Sequence, residues 1–485
     1  MSRPARFHVA IAVVLAALLT MAWVGRVHSP SRLQQIRERG TLVVATRIGP
    51  ATYYDSSEGP RGFEYGLVKG FAKRLGVKLE IRPVDSMQQL ATLLDAGAVD
   101  LVAAGIGPTP RRLERFTFAT PYMTVQPEVV YRRGTPEPDN LGDLAGHSVE
   151  VIAGSGLEQR LSARRSQYPD LKWHALTGQT SEELLYRVWS GRTEYAVTDS
   201  NKVLLNQHFY PELQTGFHLG DPRKLAWMLR PGDNGLLEAA NRYIASAKNE
   251  GTVDALVEQY YGHLGKFDYV GTRRFMRDVA DLLPTYRPVF ERAAKADDMD
   301  WRLLAAVGYQ ESHWDPHAES PTGVRGVMML TQDAAQDVGV DNRLDAKESI
   351  RGGADYLSRI RSRLPDDVSE PVRTWFALAA YNVGFGHLED ARVITQMQGG
   401  DPDSWAAVKK RLPLLSQKKW YSKVDHGYAR GWEPVRYVEN IRKYYQLLIR
   451  VTEPSLLKVA PGPKKPSTPE SPRDWGLNDQ SESAL

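Results

Sequence analysis

Short apolar runs and amphipathic stretches alternate through the first half of the chain. The runs at 41–45, 78–81, 101–104 and 149–152 are rich in Val, Leu and Ile, and each predicts a strand. Between them, 65–75 and 87–96 place apolar residues at three- and four-residue steps, which predicts helices. Strand and helix in alternation predict an α/β module with a largely parallel sheet between about 40 and 265. Later segments read as helices. Asp300 is a cap candidate, and Leu303, Leu304 and Val307 recur on one face behind it. A helical run follows at 374–380, and an amphipathic pattern extends over 437–447.

The two ends differ from both halves. Arg3 and Arg6 precede an uncharged run at 7–25, so residues 1–30 read as a signal peptide or a membrane anchor, just long enough to span a bilayer. Trp23 lies two positions before Gly25, and Pro30 follows Ser29, so no small-x-small cleavage site decides between the two fates. Past Leu457 the chain turns to Pro, Lys, Ser and Glu. Residues 456–485 hold too little apolar surface to offset the entropy of ordering and read as a disordered tail.

A chain of 485 residues exceeds one core and implies several domains. A formal net charge of +4 gives no electrostatic support to nucleic-acid binding. With no cysteine, a lipid-modified amino terminus, disulfides and thiol catalysis are excluded. The 11 histidines are scattered without HExxH or His-x-His spacing, so neither a metal nor another cofactor is expected.

Chemistry concentrates at Glu311. It lies seven residues after Leu304, so its carboxyl projects from the same apolar face near a helix C-terminus, where the macrodipole is negative. Desolvation and dipole both disfavour the anion. A carboxyl with a raised pKa is suited to protonate a leaving oxygen near neutral pH, and glycosidic chemistry is expected.

Four stretches occur in order: Glu311-Ser312, Gly323-Val324-Arg325-Gly326-Val327-Met328-Met329, Ala380-Tyr381-Asn382-Val383-Gly384 and Tyr437-Val438-Glu439-Asn440-Ile441. In these the chain resembles the lytic transglycosylases with a goose-lysozyme-like fold, most closely the membrane-bound lytic murein transglycosylase F type. The resemblance implies a mainly α, lysozyme-like catalytic (SLT) domain at 267–455 that cleaves the β-1,4 bond between N-acetylmuramic acid and N-acetylglucosamine in peptidoglycan strands. Glu311 would act as acid on the glycosidic oxygen and then as base on the muramyl C6 hydroxyl, leaving a 1,6-anhydro sugar without a second carboxylate. Tyr381, Asn382 and Tyr437 are implied substrate or carboxyl contacts. Met329 stands where soluble members carry glutamine. Ser312 is placed to bond Glu311, a sugar group or the local backbone. His313 reads as structural, and Glu319, which the family gives no role, as solvated.

The earlier half carries its own matches: Gly62-Phe63-Glu64-Tyr65-Gly66-Leu67, the segment from Arg112 to Tyr122, Gly154-Ser155-Gly156-Leu157-Glu158, Tyr195-Ala196-Val197-Thr198-Asp199 and Gly251-Thr252-Val253. These resemble the family 3 bacterial solute-binding proteins, whose two lobes close on a ligand. The resemblance implies a bilobal, periplasmic-binding-protein-like module at 31–266, non-catalytic and regulatory. Its implied ligand is an amino acid or muropeptide, with Arg112 on the α-carboxylate, Asp199 on the α-ammonium, Tyr53 or Tyr54 over the side chain, and Ser155 nearby. Gly156 and Gly66 depart from the receptors, which have a hydroxyl residue and aspartate there.

The modules join near 261–269, at Gly262 and Gly265. Lys409, Lys410, Arg411, Lys418, Lys419 and Lys423, with Trp420 and Tyr421, read as a solvated face or as a surface for stem-peptide carboxylates. Alternatives to the transglycosylase are a muramidase using water and a non-enzymatic receptor. The resemblance implies export and peripheral membrane association at the periplasmic side of the outer membrane, with an uncleaved inner-membrane anchor as the alternative.

Overall fold

A computed structural model describes residues 30–56, 59–207, 209–264, 269–320 and 323–452; the run at 7–25 and the tail at 456–485 lie outside the described residues. Among the described residues no helix is long and apolar enough to cross a membrane.

Thr41–Arg47 is buried from Leu42 onward, so both of its faces must be covered. It lies between Lys78–Val84 and Leu101–Val102, parallel to both. Met228–Leu229 and Thr117–Phe118 complete this five-stranded sheet with antiparallel pairing. The second five-stranded sheet runs His174–Leu176, Val149–Ile152, Tyr195–Asp199, Pro127–Arg132, Leu213–His218, again with three parallel strands followed by two antiparallel ones. The parallel pattern expected from sequence therefore holds for three strands of each sheet. The antiparallel strands flank the two crossings, where Met123–Val125 and Arg223–Leu225 pair with each other between the sheets. Two lobes joined by a double crossing form a hinge.

Local chemistry sets the helices around these sheets. Ser86 and Gln89 form a capping box that opens Met87–Asp95, and Gly76 in the left-handed region closes Phe63–Leu75.

The remaining helices surround one core that extends from Phe275 to Leu448. Trp432–Thr452 packs against both Trp301–Ser312 and Val372–Val383. Asp300 caps Trp301–Ser312 by accepting from the Arg302 N–H at 2.9 Å. Val372–Val383 runs past the expected end at 380; Gly384, with φ of 90°, ends it, so Tyr381 and Asn382 occupy its last turn.

A buried ion pair joins the modules. Glu258, near the end of Thr252–Tyr260, accepts from Arg442 Nη1 at 2.9 Å and lies 2.9 Å from Lys409 Nζ. The Arg442 guanidinium also lies 3.9 Å from the Trp375 ring centroid. The second lobe reaches the same long helix, for Arg450 Nη2 donates to the Tyr210 hydroxyl at 2.5 Å. A Cβ on Gly262 would lie 2.1 Å from a Glu258 carboxylate oxygen, which explains a glycine at the join. Lys409 thus departs from the expected solvated run, whereas Lys418, Lys419 and Lys423 are exposed.

Candidate active site

Glu311 is the next-to-last residue of Trp301–Ser312, and left-handed backbone at His313 and Trp314 turns the chain away immediately after it. The His313 ring packs edge-on against Tyr309 at 4.9 Å, a structural contact. Glu311 is half-buried, and its Oε1 accepts from the Tyr437 hydroxyl at 2.5 Å. Burial pushes its carboxyl up to about 7, against the opposing pull of the Tyr437 hydrogen bond. Burial and the neighbouring Glu311 hold the Tyr437 hydroxyl well above the usual phenol range, so it remains a donor. With Oε1 engaged by this donor, Oε2 is the oxygen left to carry and release a proton.

The Tyr437 ring lies nearly parallel to Tyr381, with centroids 6.5 Å apart and planes 12° from parallel. Tyr381 in turn donates its hydroxyl to the Met328 carbonyl at 2.8 Å. The glycine-punctuated loop is thereby tied to the tyrosine pair. Ser349 accepts from the Met328 N–H at 3.1 Å, so both backbone groups of Met328 are fixed. Ser312 acts on the same loop: its buried hydroxyl donates to the carbonyls of Val327 at 2.9 Å and Gly308 at 3.2 Å. Of the alternatives for Ser312, the backbone bond is the one formed, because the side chain is enclosed between helix and loop.

Met329 follows with φ of 46°, half-buried, and Asn382 is exposed beside Tyr381. Gly326 is required where it stands, for at φ of 83° a Cβ would lie 1.8 Å from the Arg343 carbonyl oxygen. Glu319 is exposed and pairs with Arg325 at 2.6 Å. Sequence reading missed Ser349 and Tyr356, whose ring meets Tyr381 edge-on at 5.3 Å. Ser349, Gly353 and Tyr356 fall at i, i+4 and i+7, so a stripe on one helix face is the signal that could have found them.

The cleft between the amino-terminal lobes brings together Arg112, Ser155 and Asp199. It departs from the expected amino-acid site in three respects. Asp199 is 1% exposed and already holds a guanidinium: Arg223 Nε and Nη2 donate to its two oxygens at 2.6 and 2.8 Å. Ser155 spends its hydroxyl as a helix cap, accepting from the Glu158 N–H at 3.1 Å. Tyr53 turns its hydroxyl to Asp55 at 2.6 Å and does not line the cavity. Arg112 spans the lobes, donating to the carbonyls of Gly107 at 3.0 Å and Gly154 at 3.2 Å. The lobes leave a cavity of about 20 Å³, room for about one water. At Gly66 a Cβ would lie 2.6 Å from a Leu256 methyl, so packing explains the missing aspartate.

Residues 42–263 match the bacterial extracellular solute-binding proteins, family 3, and residues 288–402 match the transglycosylase SLT domain. Among solved structures, an ancestral amino-acid-binding protein, a precursor of cyclohexadienyl dehydratase, is similar at a TM-score of 0.43 and 28% identity, covering 48% of this chain and 100% of that one. The membrane-bound lytic murein transglycosylase F of Pseudomonas savastanoi pv. phaseolicola is 45% identical over 432 residues, 89% of this chain and 87% of that one. Membrane-bound lytic murein transglycosylase F 1 of Alkalilimnicola ehrlichii is 48% identical over 473 residues, 96% of each chain. With both modules matched and relatives aligned along nearly the whole length, the chain belongs to the membrane-bound lytic murein transglycosylase F family.

Proposed function

We propose that Glu311 works alone, first as acid and then as base, in the peptidoglycan lytic transglycosylase that this chain is. The observation that carries this is a carboxyl raised to about 7 by burial and touched by one neutral donor, Tyr437. Such a group is protonated in an appreciable fraction near neutral pH and is an adequate base once ionised.

In the first step the Glu311 proton passes to the glycosidic oxygen, and the C1–O bond breaks towards that oxygen. Positive charge develops at C1. In the second, ionised Glu311 takes the proton of the muramyl C6 hydroxyl while O6 bonds to C1, closing the 1,6-anhydro ring. The nucleophile belongs to the same sugar, so it needs orientation more than activation. Tyr437 supports the anion between the two steps. Glu319, exposed and paired with Arg325, is poorly placed to serve as a second acid.

Tyr381, Asn382 and Met329 are assigned to the wall of the sugar cleft, Tyr381 and Met329 through the anchored loop and Asn382 through its exposed amide. Ser312 is assigned to holding the loop. Residues 267–455 are assigned to the catalytic module and 31–266 to a regulatory one. The family name favours an envelope location, and we place the enzyme at the periplasmic side of the outer membrane, on peptidoglycan.

The test is mass spectrometry of fragments released from purified peptidoglycan by the protein lacking residues 1–30, beside Glu311→Gln. Muropeptides lighter by one water, absent with the variant, are expected. Reducing-end products would replace the reading with hydrolysis.

A further inference from the structure

A groove of about 390 Å³ lies beside the hinge, a volume typical of small-molecule sites. It shares no lining residue with the interlobe cavity. Its walls come from the crossing strand Met123–Val125, from the second-lobe helix Ser200–Gln207, and from Val257 and Tyr261 where the chain leaves the first lobe. Apart from the Tyr261 phenol, Glu128 is the only acid or base in the lining. Its side chain is 13% exposed, and among the described residues no hydrogen-bond donor reaches its carboxyl; His218 Nδ1 stands off at 3.9 Å. Burial and the charge of Asp199 push that carboxyl up to about 7. A second acceptor in the lining shares this condition. Asn201 donates its amide to the Tyr261 hydroxyl at 3.3 Å, while its Oδ1 is buried without a donor among the described residues.

The surrounding charges leave both acceptors unmet. Asp199 is held by Arg223 at 2.6 Å and approached by Lys202 at 4.0 Å; both cations line the interlobe cavity instead, and burial lowers the Lys202 pKa. Glu64 and Glu182 act on the Tyr261 hydroxyl, but Glu64 is bonded to Tyr122 and Trp227, and Glu182, with Asp85 and Glu183, acts on Arg47. Glu258, next to Val257, holds Arg442 and Lys409. Lys224, in register with Thr124, is exposed and takes no part in the lining. Acceptors without donors between apolar walls suit a ligand that brings N–H groups and positive charge on an apolar body. An ammonium has three donors and no acceptor, and beside it the Glu128 carboxyl ionises and accepts a charge-assisted bond. An anion would find only repulsion there.

We propose that this groove is a second ligand site, one that takes a small organic ammonium ion with an apolar body, its N–H groups directed to Glu128 and Asn201 and its body laid against Val203, Leu204 and Val257. Binding there depends neither on the interlobe cavity nor on the chemistry at Glu311.

The experiment is titration calorimetry on the full chain, near neutral pH, with hexylamine, its neutral counterpart hexanol, and hexanoate as probes. Hexylamine is expected to bind about tenfold more tightly than hexanol, because a hydrogen bond to a charged partner is stronger than a neutral one, and hexanoate to give no heat. Glu128→Gln keeps the shape of the side chain without its charge and should erase the preference for the amine. Thr124→Trp adds bulk at an exposed position of the lining, away from the core, and should weaken hexylamine and hexanol alike. Hexanol binding as tightly as hexylamine, a preference unchanged in Glu128→Gln, or heat from none of the three probes overturns the proposal. Should thermal melting show that Glu128→Gln does not fold, Thr124→Trp decides, and full affinity for hexylamine in that variant overturns the proposal as well.

Discussion

Replacing Tyr437 with phenylalanine isolates the single hydrogen bond on Glu311. The ring is buried and stacked near Tyr381, and phenylalanine retains that packing, so the change removes one hydroxyl rather than a piece of core. The hydroxyl donates to Oε1 and therefore stabilises the ionised carboxyl more than the neutral one. A hydrogen bond to a charged group contributes about 1.5–3 kcal/mol, against about 0.5–1.5 for a neutral one, so the difference is about 1–1.5 kcal/mol. At 1.36 kcal/mol per unit this is about one pKa unit. Removing the donor should raise the Glu311 pKa from about 7 to about 8. The first chemical step requires the protonated carboxyl, so the alkaline fall of kcat/KM should shift upward by about one pH unit. The second step loses support for the anion, and the plateau rate should fall by about tenfold, equivalent to 1.4 kcal/mol. Initial rates of fragment release from peptidoglycan between about pH 5 and 10 measure both effects. An alkaline limb that stays in place or moves to lower pH would refute the role given to Tyr437.

Glu311→Gln should abolish turnover yet stabilise the protein at neutral pH. The folded carboxyl titrates near 7 and the unfolded one near 4.5, so the native state holds a proton that the unfolded chain releases between those values; stability falls with rising pH across that window, by up to about 3 kcal/mol, and levels off above it. The variant lacks this loss, so its melting temperature should exceed that of the unmodified protein at pH 8, with the gain gone at pH 4. Gly326→Ala should cost about 1–3 kcal/mol in backbone strain, with a further cost from the clash at the Arg343 carbonyl, and should lower activity because the displaced loop carries Val327 and Met328; thermal melts and fragment release read the two effects. Glu258→Gln leaves Arg442 buried without its charge partner, and chemical denaturation should show a loss of about 3 kcal/mol that the paired change Glu258→Leu with Arg442→Met largely recovers.

Features that depend on neighbours along the chain are legible in the sequence itself. The Asp300 cap, the apolar face of Leu304 and Val307, and the protonation-prone position of Glu311 at a helix end follow from spacing alone, and each is present. The α/β alternation is equally visible, whereas the antiparallel strands beside the hinge are not, because the double crossing that creates them pairs Met123–Val125 with Arg223–Leu225, about a hundred residues later. Tyr381 and Tyr437 enter through motif resemblance; their periodicity reads only as core. The fate of Ser312 depends on a carbonyl at Val327 that no local pattern could locate. The pairing of Asp199 with Arg223 is hidden for a related reason, since the fold, not a local pattern, brings the two together.

The same distinction bears on how the modules sit together. Tyr437, Arg442 and Arg450 occupy one helix, Trp432–Thr452. Tyr437 holds Glu311, Arg442 is seated on Glu258 from the chain that returns to the first lobe, and Arg450 is bonded to Tyr210 of the second. A lobe motion about the hinge would change the separation of Glu258 from Tyr210, yet both are fastened to one helix about two turns apart. One of those attachments must then yield, or the helix must shift. Arg442 is the stronger attachment, buried with an ion pair, backbone carbonyls and the Trp375 face around it. Arg450 rests on a hydroxyl and the Phe209 ring, with no carboxylate paired to it among the described residues. Lobe movement should therefore break at Arg450 first, and Arg450→Met should loosen the second lobe while leaving the Glu311–Tyr437 bond and basal turnover in place, which hydrogen exchange at the strand Leu213–His218 beside fragment-release rates will decide.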